Sequence, residues 1–192
     1  MDIADRFFNS FFDSIVREVQ TLGRIGLLDR WARKKGRGYA LVCALKEDSL
    51  RYLALREFYG DPQSSQVEFD TERNAIDLIL SGGGESCAFE LKRWQDYRQE
   101  LEILDKDYPK LKGFLEGRTG NAGAYSIIST VNDNGPLKWS AETPAETLLA
   151  KYKKDFEDCL AERYSLSGIR VKAFDEFTVC AMMAAPKTDG AA

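Results

Sequence analysis

The sequence predicts an α/β protein built on a mixed central sheet flanked by helices, with an added helical segment at its N-terminal end. Three observations point there. Two apolar runs, residues 76–80 and 87–91, flank Gly82, Gly83 and Gly84 in the manner of a β-hairpin with a short glycine loop. Stretches with apolar residues at three- and four-residue spacing precede and follow that hairpin, the mark of amphipathic helices. A further short apolar run, residues 123–131, comes after the second helical stretch and is greasy enough to lie inside a sheet.

Taken in order, residues 4–34 carry Phe8, Phe11, Phe12, Ile15, Val19 and Leu22 on one helical stripe, which predicts a helix packed on the core, or else a dimer or partner surface. Gly23 and Gly26 are positions where it can bend. Residues 39–59 form a second helical region, with Asp48 or Ser49 as a candidate cap near its middle, and Gly60-Asp61-Pro62 ends it. Residues 66–70 read as a strand with Val67 and Phe69 on one side and Glu68 and Asp70 on the other. After the hairpin, residues 96–117 are helical, with Leu101, Leu104, Tyr108, Leu111 and Leu115 marking the buried face and Pro109 predicting a kink or two shorter helices. Residues 144–164 form another helix, with Thr143 as cap and Pro144 in its first turn. Residues 169–174 and 177–183 are two final strands. The chain reads as a single domain over residues 1–186, with a small polar tail at 187–192 expected to be disordered.

Composition narrows the chemistry. The 192 residues include no histidine, which removes Ser-His-Asp and Cys-His catalysis and histidine-built zinc sites. Net charge is −4, so no global basic field advertises a polyanion, although a local positive region remains possible. Cys43, Cys87, Cys159 and Cys180 are isolated, without a CxxC pair, and predict reduced core thiols and a cytoplasmic setting. No signal-peptide pattern opens the chain and no apolar run approaches the ~18 residues of a membrane span, so no membrane partner is expected.

Within the hairpin, an even-numbered loop, either Gly83-Gly84 or the four residues 82–85, sets a register that places Asp77 directly across from Glu90. Opposed like charges with Cβ atoms about 4.5–5.5 Å apart destabilise a sheet, and period-2 alternation puts Lys92 on the face of Glu90. Two carboxylates and an ammonium on one patch make a poor core and a good divalent-cation site.

Asp77, a gap of twelve residues, then Glu90-Leu91-Lys92 resembles the motif of the PD-(D/E)XK nuclease superfamily, whose members share the restriction-endonuclease-like fold. The family's usual proline before the aspartate is replaced here by Ile76. The resemblance covers residues 39–131, where the predicted order of helix, three strands, helix and strand is that of the family core. It implies a Mg²⁺- or Mn²⁺-dependent nuclease hydrolysing phosphodiester bonds of DNA or RNA. Asp77 and Glu90 would be the metal ligands, the Leu91 backbone carbonyl a third, and Lys92 the group that orients or deprotonates water or holds the phosphate. The added glutamate that family members often place on the preceding helix would be Glu57, with Glu68 on the preceding strand as its rival.

Other readings stay open at this level. Glu90 and Lys92 also fit the solvated face of an edge strand, and Glu57 a solvated helix face. Arg30, Arg33, Lys34, Lys35 and Arg37, beside Trp31, form the densest positive patch and are candidate nucleic-acid contacts, or cations complementing a helix C-terminus. The alternative function is a catalytically inactive nuclease-fold protein serving as a binding, assembly or inhibitory module, with a protein partner or a second copy.

Overall fold

The structure, a computed structural model, describes residues 2–24, 47–71, 76–94, 102–118, 120–133, 139–175 and 177–187. The basic patch at residues 30–37 lies outside them, as do the glycine bend at Gly26 and the first residues of the helices expected at 39–59 and 96–117. The architecture is α/β, a six-stranded mixed sheet flanked by helices on both faces.

Helix α1 (Ile3–Arg24) lays Phe8, Phe11, Phe12, Ile15 and Val19 onto one face of the sheet, the stripe its spacing predicts, and adds Phe7, which the stripe did not include. The side chain of Leu22 lies outside what is described. Helix α2 (Glu47–Gly60) packs beside it, and Phe7 of α1 stands between Phe58 of α2 and Phe89 of the sheet, with centroids 5.9 and 4.7 Å away. Asp48 and Ser49 fall inside this helix rather than capping a second one; Asp48 instead accepts from the Arg51 guanidinium at 3.0 Å.

Strand β1 (Glu68–Thr71) is an edge, paired only with β2 (Leu78–Gly82), and all four of its residues are exposed. Phe69 is 56% exposed and rests against the Tyr59 ring of α2, centroids 5.8 Å apart, while Val67, just ahead of the strand, is buried. β2 and β3 (Glu85–Arg93) form the predicted hairpin through the two-residue loop Gly83-Gly84, whose φ angles of 60° and 81° belong to the left-handed region that glycine enters without strain. The register pairs Ser81 with Ser86, whose hydroxyls lie 2.9 Å apart, and Leu78 with Phe89.

The chain then passes through a π-helical turn (Ile103–Asp107) into helix α3 (Tyr108–Glu116) and returns as β4 (Asn121–Asp133), parallel to β3. Pro109 sits in the first turn of α3, where its missing N–H costs nothing, so the interruption expected at the proline is the junction of two helical pieces. The buried face differs from the expected one. Ile103, Asp107 and Leu111 are the fully covered positions, while Leu104, Tyr108 and Leu115 are only partly covered. The covered positions are spaced four apart, and an acid, Asp107, takes the middle place on that stripe.

Helix α4 (Ala145–Cys159) buries Leu148, Tyr152 and Phe156 on the same sheet face as α3. Pro144, not Thr143, holds its N-cap position, and the Thr143 hydroxyl instead accepts from the Ser140 N–H at 2.8 Å. β5 (Tyr164–Ala173) and β6 (Phe177–Pro186) close the sheet, with β6 antiparallel to β4. Lys187, expected in the tail, is tied down: its N–H donates to the Arg163 carbonyl at 2.8 Å and its carbonyl accepts from the Tyr108 hydroxyl at 3.1 Å. No helix among the described residues is long and apolar enough to cross a membrane.

Strand alternation sorts the sheet into two cores. Leu78, Leu80, Cys87, Phe89, Leu91 and Ile127 face α1 and α2; Ile79, Ala88, Ala124, Ile128, Cys180 and Met182 face α3 and α4. Glu90 and Lys92 are in phase with Ala88, so both project toward α3.

Candidate active site

Glu90 is 0% exposed in the middle of β3, between two paired strands, which excludes the solvated-edge reading. Continuing the β2–β3 register by one residue beyond the Leu78–Phe89 pair sets Asp77 across from Glu90. Asp77 lies just ahead of β2, where the strand has not begun to pair, and its side chain takes over the pairing role: Oδ2 accepts the Leu91 N–H at 2.8 Å. That bond fixes the Asp77 carboxylate beside β3. The N–H and C=O of one extended residue point to the same flank, so the Leu91 carbonyl also faces the Asp77 side. From α2, the Arg51 guanidinium donates to the Asp77 backbone carbonyl at 3.0 Å and pins the residue from behind.

The helix that crosses above β3 adds two groups that lie outside the Asp77, Glu90, Lys92 motif. Lys110 Nζ lies 3.2 Å from Glu90 Oε1 and 3.4 Å from Asp107 Oδ1. Lys92 Nζ lies 3.7 Å from Asp107 Oδ2. Asp77, Glu90, Lys92, Asp107 and Lys110 thus gather on one patch, from three separate segments of chain. An acid three residues before a lysine, four before Leu111 and on its stripe, was the available signal for Asp107.

The electrostatics follow from burial and crowding. Burial pushes the Glu90 carboxyl up to about 8, and repulsion from Asp77 and Asp107 adds to this while Lys110 pulls it back. Asp107 is likewise raised, by burial first, with Lys92 and Lys110 opposing. Burial draws the Lys110 ammonium down, yet Glu90 and Asp107 together carry it above its ordinary value. Glu90 Oε2, and the hydroxyl of Ser126, its ladder partner on β4, are buried without a hydrogen-bond partner among the described residues. Orphaned polar atoms of this kind call for a ligand, an ion or a water.

A hard divalent cation fits this donor set in part. Asp77 and Glu90 supply oxygen ligands on facing segments, the orphaned Oε2 has capacity to spare, and Mg²⁺ is commonly held by only one or two carboxylates with waters and substrate phosphates completing its shell. Among the described residues, however, no group of three or more acidic or cysteine side chains forms a ready-made metal cage.

The remaining candidates lie elsewhere. Glu57 is gripped by the Arg17 guanidinium through two bonds of 2.7 and 3.0 Å, and faces a cleft of about 620 Å³ between α1 and the end of α2 that contains neither Asp77 nor Glu90. Glu68 is exposed and pairs with Ser81, at the opposite end of β2 from Asp77. Neither is brought to the cluster.

Comparisons with models of known protein families, with curated proteins and with solved structures return no match.

Proposed function

We propose that this chain is a Mg²⁺- or Mn²⁺-dependent nuclease with a restriction-endonuclease-like core, acting on the phosphodiester bonds of DNA or RNA. The observation that carries the reading is the convergence of Asp77, Glu90 and Lys92 on one sheet face, with Glu90 buried and one of its oxygens unpartnered. The order of elements supports it: α2, then the antiparallel β1, β2 and β3, then α3, then β4 parallel to β3.

A divalent cation held by Asp77 and Glu90, with the Leu91 carbonyl on the same flank, would supply Lewis acidity toward the phosphate and acidify a water. The chain's own groups do the rest. Leu91 N–H and Arg51 hold Asp77 in place. Lys92, 15% exposed at its side chain, keeps an ammonium beside Asp107, where it would position a phosphate or the attacking water. Asp107 steadies that ammonium.

The test is cleavage of single- and double-stranded DNA and RNA with Mg²⁺ and with Mn²⁺. Activity that disappears in Asp77→Ala, Glu90→Ala and Lys92→Ala, each with an unchanged circular dichroism spectrum, is the expected result. A wild type inert on the whole panel with both metals sinks the proposal.

One observation favours a second reading, a catalytically inactive fold used for binding or assembly. Glu90 and Asp107 already have lysine partners, and no three-acid cage is present among the described residues. That reading expects a complex with a protein or nucleic acid that survives EDTA.

A further inference from the structure

Lys110 is placed where a cation bound to Glu90 would feel it. Its ammonium bridges Glu90 on β3 and Asp107 at the head of α3, 3.2 and 3.4 Å away, and its side chain is 30% exposed, so it has room to move. Asp107 is almost wholly buried and already faces Lys92 at 3.7 Å. Glu90 therefore has two oxygens with different fates: Oε1 carries the ammonium, and Oε2 has no hydrogen-bond partner among the described residues.

We propose that Lys110 is an internal competitor for the metal: it shares Glu90 with a divalent cation and withdraws to Asp107 when the cation binds. The inference rests on the metal-site reading above and deepens it. A doubly charged ion and an ammonium on the same carboxylate repel each other, and in a poorly solvated patch that repulsion is only weakly screened. Asp107 is the seat that makes withdrawal possible, since the ammonium can keep one carboxylate while it leaves the other. Entry of the cation then does not leave a partly buried lysine unpaired.

The experiment is a calorimetric titration of the purified protein with Mn²⁺ at pH 8.5, where protons compete least for the carboxylates. Lys110→Met removes the ammonium and keeps the length of the side chain. It is expected to lower the Mn²⁺ dissociation constant at least tenfold, or to reveal binding where the wild type has none. Asp107→Asn removes the alternative seat and is expected to weaken Mn²⁺ binding severalfold. That loss should vanish in the double variant, because no ammonium is left to displace. Lys110→Gln serves as a second probe should the methionine variant fold poorly. Equal or weaker Mn²⁺ binding by both Lys110 variants, with the wild type binding normally, overturns the competition and leaves the metal site standing. Absence of binding in the wild type and in both Lys110 variants overturns the two together.

Discussion

Glu90→Gln offers the cleanest view of the buried cluster, because it keeps the shape of the side chain and removes its titration. The carboxyl has an ordinary value of 4.5 and is pushed up to about 8 in the folded chain, by burial first and then by Asp77 and Asp107. A carboxyl raised on folding holds a proton that the unfolded chain has already released. Its contribution to stability is therefore complete below pH 4.5 and is lost as pH rises through about 8. At about 1.4 kcal/mol for each pH unit of displacement, integrating between pH 5 and pH 9 gives a loss on the order of 4 kcal/mol. That is a large part of the ~5–15 kcal/mol that stabilises a typical domain. For a chain of this length it corresponds to a fall in Tm of roughly 10 °C. Asp107 is raised as well and adds to the slope in both proteins, so the quantity to read is the difference between wild type and variant. Thermal or urea unfolding at intervals from pH 5 to 9 should show the wild type weakening steeply while Glu90→Gln weakens much less, the variant being the more stable at pH 9. Parallel curves would refute the placement of Glu90 as a buried, repelled acid.

Phe7→Ala empties the contact between α1, α2 and β3, where Phe7 is 0% exposed; a loss of about 3–5 kcal/mol in urea unfolding is expected. Gly83→Ala and Gly84→Ala each force an L-residue into the left-handed region with no neighbour within 4 Å to clash, so the cost is conformational alone, about 1–2 kcal/mol each by the same assay. Burial raises the thiols of Cys87 and Cys180, while Cys159 is only partly covered. Iodoacetamide at pH 8 should therefore modify Cys159 well before either of the other two, as peptide mass mapping will show, and denaturant should erase the difference.

The hairpin and its register were legible in the sequence because glycine chemistry and period-2 alternation are both local. Once Gly83-Gly84 form the loop, Ser81 faces Ser86 and the position of Asp77 against Glu90 follows. The stripe of α1 was legible for the same reason. What sequence reasoning missed is non-local or masked by residue type. Asp107 shares the stripe of Leu111 by helical count, but an acid there reads as a solvated position, and Leu104 and Tyr108 read as the covered ones. Lys110 resembles its neighbours Lys106 and Lys112 in sequence, and only the crossover above β3 brings it to Glu90. Arg51 reaches a backbone carbonyl, which leaves no trace in residue type. Glu57 misled because a helical glutamate near the right place says nothing about Arg17, forty residues earlier, which claims it.

The parallel pairing of β3 with β4 has a consequence for how the cluster comes into being. Parallel neighbours cannot be joined by a tight turn, so the link between them is long enough to carry the π turn and α3, and with them Asp107 and Lys110. A chain that has formed only its hairpin holds Asp77, Glu90 and Lys92 together, with their charges unbalanced by the later groups. The balancing pair arrives only when β4 adds to the sheet and α3 is drawn down onto it. Completion of the constellation is thereby tied to one of the slower events of sheet assembly, and an unfinished molecule lacks it.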